Sequence, residues 1–168
     1  MGLFSKILDE IDASIVSKSS APNYIPYNES CFYNKDFLSK QKRYYNGMNN
    51  VENQWSVLYN LKSFEGELAA KYIRLCRSNI KAFNEMDQVG KQFRDYESPI
   101  TVPAYKRLAM IYEKQKKYAE AYKVCIDAIK NGISQDGTKA GMKGRAARML
   151  KKAKIVPDEE ILDLLTNE

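Results

Sequence analysis

Apolar residues recur every three or four positions along most of this 168-residue chain, which is the period of an amphipathic helix. The period is clearest between positions 103 and 132, where two short apolar stripes flank a polar stretch at 113–117. No segment alternates apolar and polar residues over a sustained run, as a half-buried strand would. The pattern therefore predicts an all-α protein.

The same pattern predicts helices on both sides of this segment. Upstream, residues 34–48 and 51–61 are expected to form two short helices with a break at Asn46-Gly47. Residues 65–95 carry two apolar stripes, which is typical of a helix with neighbours on two sides, and Gly90 with the polar run at 84–88 is a candidate division. Downstream, Gly132 is expected to end a helix, and two more follow at 139–153 and after Pro157.

The first thirty residues have a different character. The apolar pattern of residues 2–16 predicts a short amphipathic helix. Residues 17–30 are rich in proline and serine, which predicts a linker or extended arm. We therefore divide the chain into a helix with its arm at 1–30 and a helical domain at 31–168. The amphipathic helix is expected to dock on its own domain, on a partner or on a second subunit, which makes a homo-oligomer one candidate state.

Composition disfavours an enzyme. The chain has a net charge of +6 and no histidine, which removes the commonest general base and metal ligand. We find no other catalytic constellation, so we predict no catalytic residues, no cofactor and no metal site. Cys31, Cys76 and Cys125 are too widely spaced for a disulfide framework and fit a reducing cytoplasm. No apolar run is long enough for a transmembrane helix, and no secretory start is present.

A repeat signature lies within residues 102–135. Its large and small positions are Tyr105, Leu108, Ala109 and Tyr112 in the first helix, and Ala121, Cys125 and Ala128 in the second. This spacing resembles a tetratricopeptide repeat (TPR). Tyr105 stands where the family usually has tryptophan, and Cys125 where it has an aromatic residue. A generic helical hairpin is the alternative interpretation.

The resemblance implies a TPR-like solenoid or bundle of helical hairpins. A single repeat leaves apolar faces uncovered, so degenerate hairpins are expected before and after the clear one. It also implies a non-catalytic interaction module or scaffold that binds a peptide or protein segment on a concave face. An ordinary solvated helix face is the alternative for the residues that map to that face. These residues are Ile73, Arg77, Lys106, Met110, Glu113 and Lys114.

A second functional hypothesis rests on charge. Residues 137–157 contain no acid, whereas residues 158–168 contain no base. The helix at 139–154 is therefore a candidate nucleic-acid contact for an accessory protein, since clustered cations neutralise phosphates. An apolar stripe on the same helix favours core packing with a solvated basic face instead. The candidate contact residues are Lys139, Lys143, Arg145, Arg148, Lys151 and Lys152.

Overall fold

The computed structural model describes residues 29–166 and is all-helical, with no strand in that part of the chain. A 3-10 turn at Cys31–Tyr33 precedes six α-helices within these residues. They are α1 Lys35–Leu61, α2 Gly66–Gly90, α3 Pro103–Lys114, α4 Tyr118–Lys130, α5 Gly141–Ala153 and α6 Glu159–Thr166. The predicted amphipathic helix at 2–16 and nearly all of the predicted arm lie outside the described residues.

Helix α1 is continuous, so the prediction of two short helices with a break at Asn46-Gly47 is wrong. Gly47 instead allows α2 to approach closely, because a Cβ atom there would lie 2.6 Å from Nδ2 of Asn79. That buried Nδ2 donates to the carbonyl oxygen of Tyr44 at 2.9 Å. The glycine therefore serves a contact between helices rather than a turn.

Helix α2 is uninterrupted through the polar run at 84–88, so that run does not divide it, whereas Gly90, the other candidate boundary, is its last residue. Met86 and Asp87 of the polar run are buried, and the Asp87 carboxylate accepts a hydrogen bond from the Tyr96 hydroxyl at 2.8 Å. The buried carboxylate of this run therefore has a hydrogen-bond partner inside the fold, and the helix ends at Gly90. As its two apolar stripes predict, α2 packs against both α1 and α3.

Helices α3 and α4 form the hairpin that the repeat signature predicts. Pro103 occupies the first turn of α3, and Lys116 takes a left-handed conformation in the turn between the helices, with φ of 59°. Ala109 and Ala121 are fully buried in this hairpin. Gly132, with φ of 79°, follows the last turn of α4 as expected for a glycine after a helix end.

Each helix packs on the next along the chain, most extensively α1 on α2 and α4 on α5, and α1 also packs on α3. Successive helices therefore pack in series, and α5 packs more extensively on α4 than on α6. The contact between α5 and α6 is the loosest, since α6 buries none of its residues completely. Asp158 opens α6 by accepting a hydrogen bond from the amide of Ile161 at 2.9 Å. The described helices include none with the length and apolarity needed to cross a membrane.

Candidate interaction site

Helix α3 presents a face whose side chains contact both α1 and α5. On its α1 side, the guanidinium of Arg107 donates to both carboxylate oxygens of Glu52, at 2.8 and 2.5 Å. The same guanidinium lies 5.0 Å from the centre of the Trp55 ring. Arg107 thus joins α1 to α3 by a bidentate ion pair and a cation–π contact, which fixes the first half of this face.

A cleft of about 450 Å³ lies on the other side of α3, where α5 and the α3–α4 turn meet it. It contains three of the four α3 residues that the repeat alignment predicts for a binding face. The lining residues are Met110, Glu113, Lys114, Lys116, Tyr118, Arg145 and Lys152. Three separate segments of the chain therefore contribute side chains to one concavity.

Glu113 is the electrostatic centre of this cleft. Its carboxylate accepts from Nζ of Lys152 at 2.8 Å and from the guanidinium of Arg145 at 3.3 Å. Nζ of Lys152 also lies 5.2 Å from the centre of the Tyr118 ring. Lys114 and Lys116 have no ion-pair partner among the described residues. The cleft therefore holds more positive than negative charge.

A buried ion pair holds α5 in place beside the cleft. Nε of Arg145 donates to Asp136 at 2.8 Å, and Asp136 also accepts from the Thr138 amide at 2.9 Å and from its hydroxyl at 2.6 Å. Burial acts to raise the pKa of Asp136, but the hydrogen bonds from Thr138 and Arg145 outweigh it and lower that pKa. Asp136 thus remains charged and fixes the position of Arg145.

Three predicted binding residues lie away from the cleft. Lys106 extends toward the α4–α5 loop, with Nζ 3.3 Å from where a Cβ atom on Gly137 would stand. Ile73 packs half-buried against the core. Arg77 donates to the Tyr112 hydroxyl at 2.8 Å and lines a separate cavity of about 260 Å³ with residues of α4. Ile73 and Arg77 lie elsewhere because α2 is the second helix of its hairpin, whereas the repeat alignment treats it as a first helix.

The basic helix also differs from its predicted arrangement. Arg145 is only 7% exposed, so it does not belong to a solvated face. Lys152 points into the cleft. Lys139, Arg148 and Lys151 are exposed, and Lys143 is half-buried. The six predicted nucleic-acid contacts are therefore divided among the core, the cleft and the outer surface.

The sequence patterns do not predict that Lys116 and Tyr118 line this cleft, or that Lys152 lies beside them. Lys116 belongs to the polar turn of the hairpin, which the repeat signature treats as a connection, and Tyr118 is the first residue of α4. Within residues 29–166, histidine, cysteine and acidic side chains do not gather in groups able to hold a metal ion.

No protein-family model matches this chain, and no curated protein or solved structure matches it either.

Proposed function

We propose that this chain is a non-catalytic, TPR-like interaction module whose cleft between α3 and α5 holds a segment of a partner protein. One observation carries the proposal: residues from α3, the α3–α4 turn and α5 converge on one open concavity of about 450 Å³. The packing of successive helices in chain order supports a scaffold role, because helices stacked in this way offer an extended surface to a partner. The free, buried Cys31, Cys76 and Cys125 favour a cytoplasmic location.

The test is affinity purification of the tagged full-length chain, with captured proteins quantified by mass spectrometry. A double variant, Lys114→Glu with Lys116→Glu, reverses two charges of the cleft. Its matched control is Lys117→Glu with Lys123→Glu, which makes the same change in net charge at exposed positions that do not line the cleft. We expect the cleft variant to lose a partner that both the wild type and the control retain. Equal capture by all three proteins would contradict the proposal.

A second candidate function is nucleic-acid association through the outer surface of α5. The observation that favours it is the exposure of Arg148 and Lys151 on a helix without acidic residues, with exposed Lys139 just before its first residue. Half of each affinity sample is therefore treated with nuclease. If capture depends on intact nucleic acid and is lost in Arg148→Glu with Lys151→Glu, this second function replaces the first.

A further inference from the structure

The balance of charge in the cleft indicates what kind of segment fits it. Among the described residues that line it, four are cations and one, Glu113, is an anion. Arg145 is already compensated by the buried Asp136. Glu113 is shared between Arg145 and Lys152, which leaves Lys114 and Lys116 as excess positive charge at the mouth. A ligand that bears carboxylates would complete this arrangement.

The cleft also offers apolar contact beside its charges. Met110 is half-buried and packs against the core, so one side of it remains available to a ligand. The lysine stems add further apolar surface, because long basic side chains cover neighbours with their methylene groups. The lining therefore suits a short segment in which acidic residues lie next to an apolar one.

Two features favour an acidic protein segment over a nucleic acid. Ammonium groups already cover the rings near the cleft: Lys152 lies over Tyr118, and Lys114 lies 5.4 Å from the centre of the Phe64 ring. Those rings are therefore not open platforms for bases, which single-stranded nucleic acids require. The cationic surface is also interrupted by Glu113 within the cleft, rather than forming a continuous track for a phosphate backbone.

We infer that the cleft selects an acidic segment with an adjacent apolar residue, and that Glu113 is an internal competitor for the same cations. This inference rests on the proposed function, since it specifies the partner of that site. The Glu113 carboxylate occupies the position beside Lys152 that a partner carboxylate would take. Replacing it with glutamine keeps its size, removes its charge and leaves Lys152 available to the partner. Glu113 thus restricts binding to segments with enough negative charge to overcome it.

Fluorescence anisotropy tests the inference with the full-length chain and three labelled probes. The first probe is a short peptide of Glu, Asp and Leu, and the second has Gln and Asn in place of its acids. The third is an oligouridylate with the net charge of the first. The variants are Glu113→Gln and the pair Lys114→Ala with Lys116→Ala. The control pair is Lys117→Ala with Lys123→Ala, and each protein is first shown to have the wild-type melting temperature.

We expect the acidic peptide to bind about tenfold more tightly than its neutral counterpart, and less tightly as salt rises. Affinity should fall about tenfold in the cleft pair, stay within about twofold in the control pair, and rise about threefold in Glu113→Gln. Because the two cleft changes act in opposite directions, a general loss of folding would not reproduce both.

Three results would overturn the inference. Equal binding of the acidic and neutral peptides would remove the selectivity for acids while leaving a peptide-binding cleft intact. Tighter binding of oligouridylate, in competition with the peptide, would assign the cleft to nucleic acid. Binding of neither peptide would reject this ligand class, and the affinity purification would then decide the proposed function separately.

Discussion

The α1/α2 hairpin and the unit formed by α3, α4 and α5 are held together by different kinds of buried contact. In α1/α2, large side chains fill the core, and the hydroxyl of Tyr72 and the amide of Asn79 donate to carbonyl oxygens of α1. In α3–α5, alanines lie buried among large side chains such as Tyr105 and Tyr112, and the Asp136–Arg145 ion pair attaches the third helix. The large residues of α1/α2 are Phe37, Tyr44, Trp55, Tyr72 and Phe83, and the alanines of α3/α4 are Ala104, Ala109, Ala121 and Ala128.

The comparison shows why one hairpin is recognisable from sequence and the other is not. Small residues must occur at fixed intervals to let two helices approach, so they leave a regular signature. The α1/α2 hairpin lacks this alanine spacing, because large aromatic side chains make most of its contacts. A hairpin can therefore belong to the same arrangement without showing the same motif.

The largest expected effect tests the aromatic side of this comparison. Phe83 is 1% exposed, and its ring centre lies 5.5 Å from that of Tyr44. Phe83→Ala should lower the free energy of unfolding by about 3–5 kcal/mol, because it leaves a cavity between α1 and α2. Urea denaturation gives this value. Ala121→Gly, which removes only a methyl group from the close contact in α3/α4, should cost about 1 kcal/mol. Similar losses in the two hairpins would refute the distinction.

The next effect concerns the ion pair of the α3–α5 unit. Asp136→Asn should lower the free energy of unfolding by about 3 kcal/mol, because it removes one partner of a buried pair. Chemical denaturation of this variant and of Thr138→Val, which removes a weaker contact to the same carboxylate, measures the difference. A loss no greater than that of Thr138→Val would mean that the pair does not hold α5.

The same substitution changes the pH dependence of stability. Because folding lowers the pKa of Asp136, the unfolded chain takes up this proton first as pH falls. Its contribution is complete above about pH 4 and is lost as pH falls through the folded pKa. Denaturation midpoints measured at decreasing pH should therefore fall less steeply in Asp136→Asn than in the wild type. Parallel curves would indicate that Asp136 titrates normally in the folded protein.

A smaller effect on stability tests whether Gly47 serves a close contact between helices or a break in α1. Gly47→Ala should lower stability by about 1–3 kcal/mol, because the new Cβ atom displaces the hydrogen-bonded Asn79 amide. Asn46→Ala is the control, and at this exposed neighbour we expect a gain of about 0.5 kcal/mol from helix propensity. Thermal melts compare the two variants. If Gly47→Ala is also stabilising, α2 does not approach α1 as closely as described.

The smallest effect arises at helix ends. Lys62 and Lys154 follow α1 and α5 with φ of 50° and 55°, in the left-handed region that glycine adopts without strain. Lys62→Gly and Lys154→Gly should each raise stability by about 0.5–1 kcal/mol. Lys62→Ala is the control and should give no gain, because alanine retains the strain. A gain in the alanine variant would point to the loss of charge instead.

Local signals predict most of the helices but not their contacts. Pro103 and Gly132 mark the outer ends of α3 and α4 because their effects act on the nearest backbone. The role of Gly47 was not predictable, because it depends on Asn79 in another helix. For the same reason the sequence favours a break in α1 that the tertiary contact removes.

The sequence likewise predicts part of the candidate site but not the contacts that complete it. The repeat spacing places Met110, Glu113 and Lys114 on one face of α3, and they lie together in the cleft. It does not predict that Lys152 reaches them, because the Asp136–Arg145 pair sets the position of α5. The location of Arg77 was not predictable, because the repeat spacing does not show whether α2 is the first or the second helix of its hairpin.

Each cysteine in the described chain is buried in a different part of the fold: Cys31 before α1, Cys76 in α2 and Cys125 in α4. Burial raises the pKa of Cys31 to about 11 and those of Cys76 and Cys125 to about 12. The thiolate is the form that attacks a thiol reagent, so at neutral pH each sulfur reacts when its own segment opens to water. The order in which a thiol reagent labels the three cysteines therefore gives the order in which their segments open to water.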